Sequence, residues 1–175
     1  MRTLGISIVL ALIAAVVVTA WQPATFAQAP ASQTAAAPMK TFTSAGDVQA
    51  LLAKAKSERK EGQVMVAEPI LSLSPYTTNL EYRPVEGAVA VHEKEAELVY
   101  VIDGGGTLTT GGTVLGEKRT NAANLTGTAI DGGTIQTIGK GDFMIIPEGT
   151  PHQFKPAGGP LVLMTQHVPR PVGAQ

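Results

Sequence analysis

From Gln63 to Val168 apolar and polar residues alternate in short runs, each closed by glycine or proline. The runs are "QVMVAEPILSLS", "TNLEYRPV", "GAVAVH", "ELVYVID", "GTLTTGG", "TAIDGGTIQTI", "GDFMIIP", "HQFKPA" and "LVLMTQHV". A period of two puts successive side chains on opposite faces, as in a half-buried strand. Gly104-Gly105-Gly106, Gly111-Gly112, Gly132-Gly133 and Gly158-Gly159 punctuate them as turns. About eight short strands spaced this way predict an antiparallel sandwich or barrel. No helix-length period interrupts them, which argues against strands alternating with helices in a parallel sheet. Residues 113–131, "TVLGEKRTNAANLTGTAID", are the least regular and predict a longer excursion or a hairpin extension.

One segment carries a helical period instead. In residues 44–62, "SAGDVQALLAKAKSERKEG", Val48, Leu51, Leu52 and Ala55 fall on one face. Ser44 is a capping residue, Asp47 adds negative charge to the first turn, and Gly62 can end the helix. The expectation is one helix packed outside an all-β body at 63–170, with 171–175 as a tail.

Composition adds the context. Residues 1–27 join Arg2 to an apolar run from Leu4 to Ala20, then Pro23 and the small-residue site Thr25-Phe26-Ala27. This is the layout of an export signal cleaved before Gln28. An uncleaved anchor is the competing reading, because the run is near the minimum length for a span. Residues 28–43 begin "QAPASQTAAAPM" and read as a flexible linker. The domain is therefore expected in the periplasm or outside the cell, without membrane contact once the signal is removed. The chain has no cysteine, which excludes disulfides, thiolate metal sites and a cysteine nucleophile. A formal charge of −1 with no large basic patch argues against nucleic acid as a partner.

Any metal must then be held by carboxylates and the three histidines, His92, His152 and His167. The most specific stretch is "GDFMIIPEGTPHQFKP" at 141–156: Gly141, five residues, Pro147, one residue, Gly149, two residues, His152. Pro147 closes an apolar strand, Gly149 permits a tight turn, and His152 opens the next strand. The second stretch is "HEKEAELVYVIDG" at 92–104. Here His92 closes a strand, "EKEA" makes the bend, and Glu97 shares one face with Val99 and Val101.

These two stretches resemble the paired motifs of the cupin superfamily. The second motif is matched at Gly141, Pro147, Gly149 and His152, with Pro156 where the family has Asn. The first is matched at Glu97 and Gly104, and His92 fits its second histidine. Ala90 stands where the first histidine falls, and Pro84 where the leading glycine falls. The resemblance spans roughly Gln63 to Val168 and implies a jelly-roll or conical β-barrel holding one divalent metal: Mn, Fe, Ni or Zn. Carried over by position, the ligands are His92, Glu97 and His152, one imidazole fewer than the family set. His167, on the last strand, is a candidate to reach the cavity. A homodimer is a further family expectation.

Plainer readings stand beside these. His152 can be a histidine satisfied by hydrogen bonds, and Glu97 can pair with Lys94 or Arg83. Glu93, Lys94 and Glu95 read as a solvated bend. Phe143, Ile145, Phe154, Val99, Val101, Leu161 and Leu163 read as core, whereas Tyr82, Tyr100, Met144, Met164 and Gln166 are candidate cavity linings. Three functions remain open. One is a metal-dependent enzyme of dioxygenase or isomerase type acting on a small organic ligand. The second is a non-catalytic binding module for a sugar, an organic acid or a metal ion. The third is a scaffold whose site has decayed.

Overall fold

The structure is a computed structural model and describes residues 39–170. The expected export segment, most of the linker and the 171–175 tail lie outside the described residues.

One helix, α1 (Ala45–Glu58), precedes thirteen strands among the described residues. They are β1 (Val66–Leu73), β2 (Tyr76–Arg83), β3 (Val89–His92), β4 (Glu95–Asp103), β5 (Gly105–Thr110), β6 (Thr113–Leu115), β7 (Lys118–Arg119), β8 (Asn124–Gly127), β9 (Ala129–Asp131), β10 (Thr134–Gly139), β11 (Phe143–Ile146), β12 (His152–Pro156) and β13 (Leu161–Pro169). One sheet has the order β1-β2-β13-β4-β11 and the other β10-β5-β12-β3-β8-β7. Every pairing is antiparallel. The alternating runs predict an antiparallel sandwich or barrel and the resemblance implies a jelly roll, and the structure is an all-β jelly roll with one N-terminal helix.

The core between the sheets draws on both. Val99, Val101, Ile146, Leu161 and Leu163 come from the first sheet, and Leu108, Ile138 and Phe154 from the second. A second core lies under the helix on the outer face of the first sheet. There Leu52 and Ala55 pack against Val66, Ile70, Leu80 and Val162. Period two along β13 turns Val162 outward to that layer while Leu161 and Leu163 stay inside, and a register shift there leaves Ile102 of β4 as the extra residue. Gly104 closes β4 at a φ of 79°, and a Cβ there would lie 2.1 Å from the Pro160 carbonyl oxygen, so the motif position admits only glycine.

Several expectations are corrected. The helix stops at Glu58, not Gly62, because Arg59 turns to extended backbone at ψ 126°. Its charged tail has no apolar side to bury. Arg59 Nε instead donates to the Gln63 carbonyl, and Lys60 N to Gln63 Oε1. Part of the expected linker is not free, since Lys40 exchanges two backbone hydrogen bonds with Ser72 at the edge of β1. Phe143 and Ile145 are not core: they are 70% and 63% exposed on the outer face of edge strand β11. Their neighbours Met144 and Ile146 take the inner face. Tyr82 and Met164 pack in the helix layer, and Tyr100 stacks on Phe143 at 4.4 Å. None of these three lines the interior.

Residues 113–131 form both the excursion and the extension. Strands β6 and β9 make a two-stranded sheet, while β8 joins β3 and extends the second sheet through β7. No helix among the described residues is long and apolar enough to cross a membrane.

Candidate metal centre

Strand register assembles the site. His152 opens β12 directly opposite Ala90 of β3, so both side chains face the interior, and His92, two residues after Ala90, faces the same way. From the other sheet, Glu97 lies two residues before buried Val99 on β4 and points inward with it. The turn between β11 and β12 is fastened to the site, because Gly149 N donates to the His92 carbonyl at 2.7 Å. Gly149 has a φ of 69°, a left-handed backbone conformation that favours the motif glycine.

The three expected ligand residues thus come together. One donor atom from each of His92, Glu97 and His152 lies within 4.8 Å of the other two. Glu97 Oε2 is 3.0 Å from His152 Nε2 and 3.6 Å from His92 Nε2. Glu97 and His152 are buried, and His92 is partly open at the mouth.

The hydrogen bonds fix which nitrogen each ring presents. His152 Nδ1 lies 3.1 Å from the Thr150 carbonyl oxygen, which can only accept, so Nδ1 carries the proton. His92 Nδ1 donates to Asn124 Oδ1 at 2.8 Å, with the amide assigned oxygen-inward. In the neutral rings, both Nε2 lone pairs then face the Glu97 carboxylate. Glu97 Oε2 is buried and has no aligned hydrogen bond, although His152 Nε2 is within reach. Lone pairs this close need a proton or a cation between them. The residues therefore fit a divalent metal: two neutral imidazoles and one carboxylate, each imidazole oriented by an outer acceptor.

Burial holds the His92 pKa below the ordinary histidine value, against the hydrogen bond to Asn124. Burial is also the largest single influence on Glu97 and raises its carboxyl. The closeness of His152 and the charges of all three histidines together outweigh it and hold the carboxyl below the usual range. The His92 shift favours the neutral imidazole that binds metal, and the Glu97 shift keeps its carboxyl ionised while the histidines carry charge.

Neither plain alternative for Glu97 occurs. Arg83 pairs with Glu81 at 2.7 Å and stacks on Phe154, and the Glu97 carboxylate faces only histidines. The bend is shorter than expected. Glu93 is in it and pairs with Arg119, but Glu95 already belongs to β4 and holds His167 Nδ1 at 2.9 Å. His167 sits edge-on to His92 with ring centroids 4.3 Å apart, outside the three-residue group. The residue that sequence reasoning missed is Asn124. It orients His92 from the irregular excursion, and only the β3–β8 register, which pairs the two, discloses it.

Two facing antiparallel sheets with this cluster at one mouth define a small jelly-roll barrel with a candidate metal centre. No family model matches the chain, and no curated protein sequence matches it. Among solved structures, the cupin domain of Schizosaccharomyces pombe Cnp3 superposes with a TM-score of 0.47 at 15% identity, covering 67% of this chain and 73% of that one. TT1209 from Thermus thermophilus gives 0.47 at 19% identity, covering 69% and 95%. KdgF from Halomonas sp. gives 0.46 at 12% identity, covering 64% and 86%.

Proposed function

We propose that the protein is an exported barrel that holds one divalent metal, Mn, Fe, Ni or Zn, through His92, Glu97 and His152. A small organic ligand would bind at the open coordination positions, and the reaction class is that of a metal-dependent dioxygenase or isomerase. The observation that carries this reading is the orphaned Glu97 Oε2 facing two imidazole Nε2 atoms. The metal would supply Lewis acidity or oxygen activation. The protein's own part is orientation. Asn124 and Thr150 fix the imidazole tautomers, and Val99, Val101 and Phe154 exclude water from beneath the carboxylate.

A second reading, a non-catalytic binding module, is favoured by two observations. The chain has Ala90 and Pro156 where the motif residues are His and Asn. The interior is also filled by Val99, Val101, Leu108, Phe154, Leu161 and Leu163, each at most 2% exposed, so a ligand is confined to the mouth. Metal analysis of protein purified without a chelating tag, beside His152→Ala, tests the shared premise. Near-stoichiometric metal in the wild type, lost in the variant, is expected, and sub-stoichiometric metal in both refutes it. Turnover that depends on His92 and Glu97 then separates enzyme from binding module.

A further inference from the structure

All three histidines of the chain show one hydrogen-bonding pattern. His92 Nδ1 meets Asn124 Oδ1, His152 Nδ1 meets the Thr150 carbonyl, and His167 Nδ1 meets Glu95 Oε2 at 2.9 Å. A histidine that donates Nδ1–H to a fixed oxygen keeps its Nε2 lone pair for a metal, and a carboxylate in that outer role also raises the ring's basicity. His92 and His152 aim their lone pairs at Glu97. His167 has the same arrangement with no partner at the site.

Its position suits the same use. His167 is paired with Glu97 across the β13–β4 ladder, so the two side chains lie on one face. Glu95, two residues before Glu97, shares that face. The His167 ring contacts the edge of His92 at a centroid distance of 4.3 Å. Meanwhile Ala90, across from His152, offers only a methyl group where the resemblance calls for an imidazole.

We propose that His167 supplies the fourth protein ligand that Ala90 lacks, with Glu95 as the carboxylate that holds its ring. This rests on the metal reading above. His167 lies outside the group whose donors are within 4.8 Å of one another, so it joins by turning about its own side-chain bonds. At 34% side-chain exposure on the mouth, it is not locked by packing, and Glu95, at 35%, can follow it. The site then holds three imidazoles and one carboxylate, with the third imidazole entering from β13 instead of β3.

Co(II) added to the full-length chain is the probe. Each ligated imidazole that keeps its Nδ1–H gives one exchangeable, paramagnetically shifted proton resonance. The wild type should show three such resonances. His167→Ala should show two and bind Co(II) about tenfold more weakly, or worse, since even losing an outer partner costs about 10–100-fold. Loss of a single resonance on His167→Ala, with the other two kept, is what a merely structural role for His167 does not predict, and Ala90→His in the same background should bring the count back to three. Two resonances in the wild type would overturn the inference while leaving the metal reading intact, and that count needs no variant to fold. Failure of the wild type to take up Co(II) would remove both.

Discussion

Ala90 sits directly opposite His152 in the β3–β12 pair, and both side chains face the barrel mouth. The missing imidazole is therefore missing from a position already aimed at the site. In the His167→Ala background, where that imidazole is not supplied from β13, Ala90→His should raise divalent-metal affinity by about tenfold or more, given that outer partners alone change it by about 10–100-fold. A competition titration against a chromogenic chelator measures this. Unchanged affinity would mean that the Cβ direction at Ala90 does not reach the cluster.

Metal should also stabilise the fold, because the site exists only in the folded chain. At one hundred times the dissociation constant, the gain is about 2.7 kcal/mol. For a chain of this size that corresponds to a rise in Tm of roughly 5–10 °C. Glu97→Gln removes the anionic ligand and should abolish the rise. Scanning calorimetry with and without Zn(II) reads both. An equal rise in the variant would place the bound metal elsewhere.

The cluster was legible in the sequence because its information is local. Turn residues at fixed spacing put His152 at a strand start, and period two put Glu97 on the face of Val99 and Val101. What escaped depends on strand pairing. Asn124 orients His92 from 32 residues away, and Glu95 meets His167 across 72. No local pattern encodes those registers. Phe143 and Ile145 escaped for another reason. Alternation marks two faces but not what covers each, and the helix core is built on β1, β2 and β13, not on edge strand β11.

The metal-free protein should lose stability in acid in two stages. Burial lowers the His92 pKa below its unfolded value of 6.5, so the folded state binds fewer protons there. Stability is then full above 6.5 and is lost as pH falls from there through the folded value. Glu97 is likewise held below its unfolded value of 4.5, so its contribution is present above 4.5 and lost as pH falls through its folded value. That second stage is shared with Glu93 and Glu148, which hydrogen bonds from Arg119 and Arg170 also lower. The first stage is the diagnostic one. His92→Gln should flatten the metal-free Tm just below pH 6.5 while leaving the acid stage in place, and an unchanged first stage would assign it to another group.

The helix and the metal cluster lie on opposite faces of the first sheet, so they should be separable. Leu52 is 6% exposed and is the helix's largest buried side chain, set among Val66, Ile70, Leu80 and Val162. Truncating it removes buried methyl groups and leaves a cavity between α1 and the sheet. Leu52→Ala should therefore cost about 2–5 kcal/mol. The inner-face residues Glu97, Val99 and Val101 belong to β4, whose inward side chains do not touch the helix layer, and His92 and His152 belong to the other sheet. Metal affinity at a temperature where the variant remains folded should stay within about twofold of wild type, as expected for distant sites with no shared partners. Urea unfolding and the chelator competition together check this. A loss of affinity in step with stability would mean that the helix holds β4 in the register that presents Glu97.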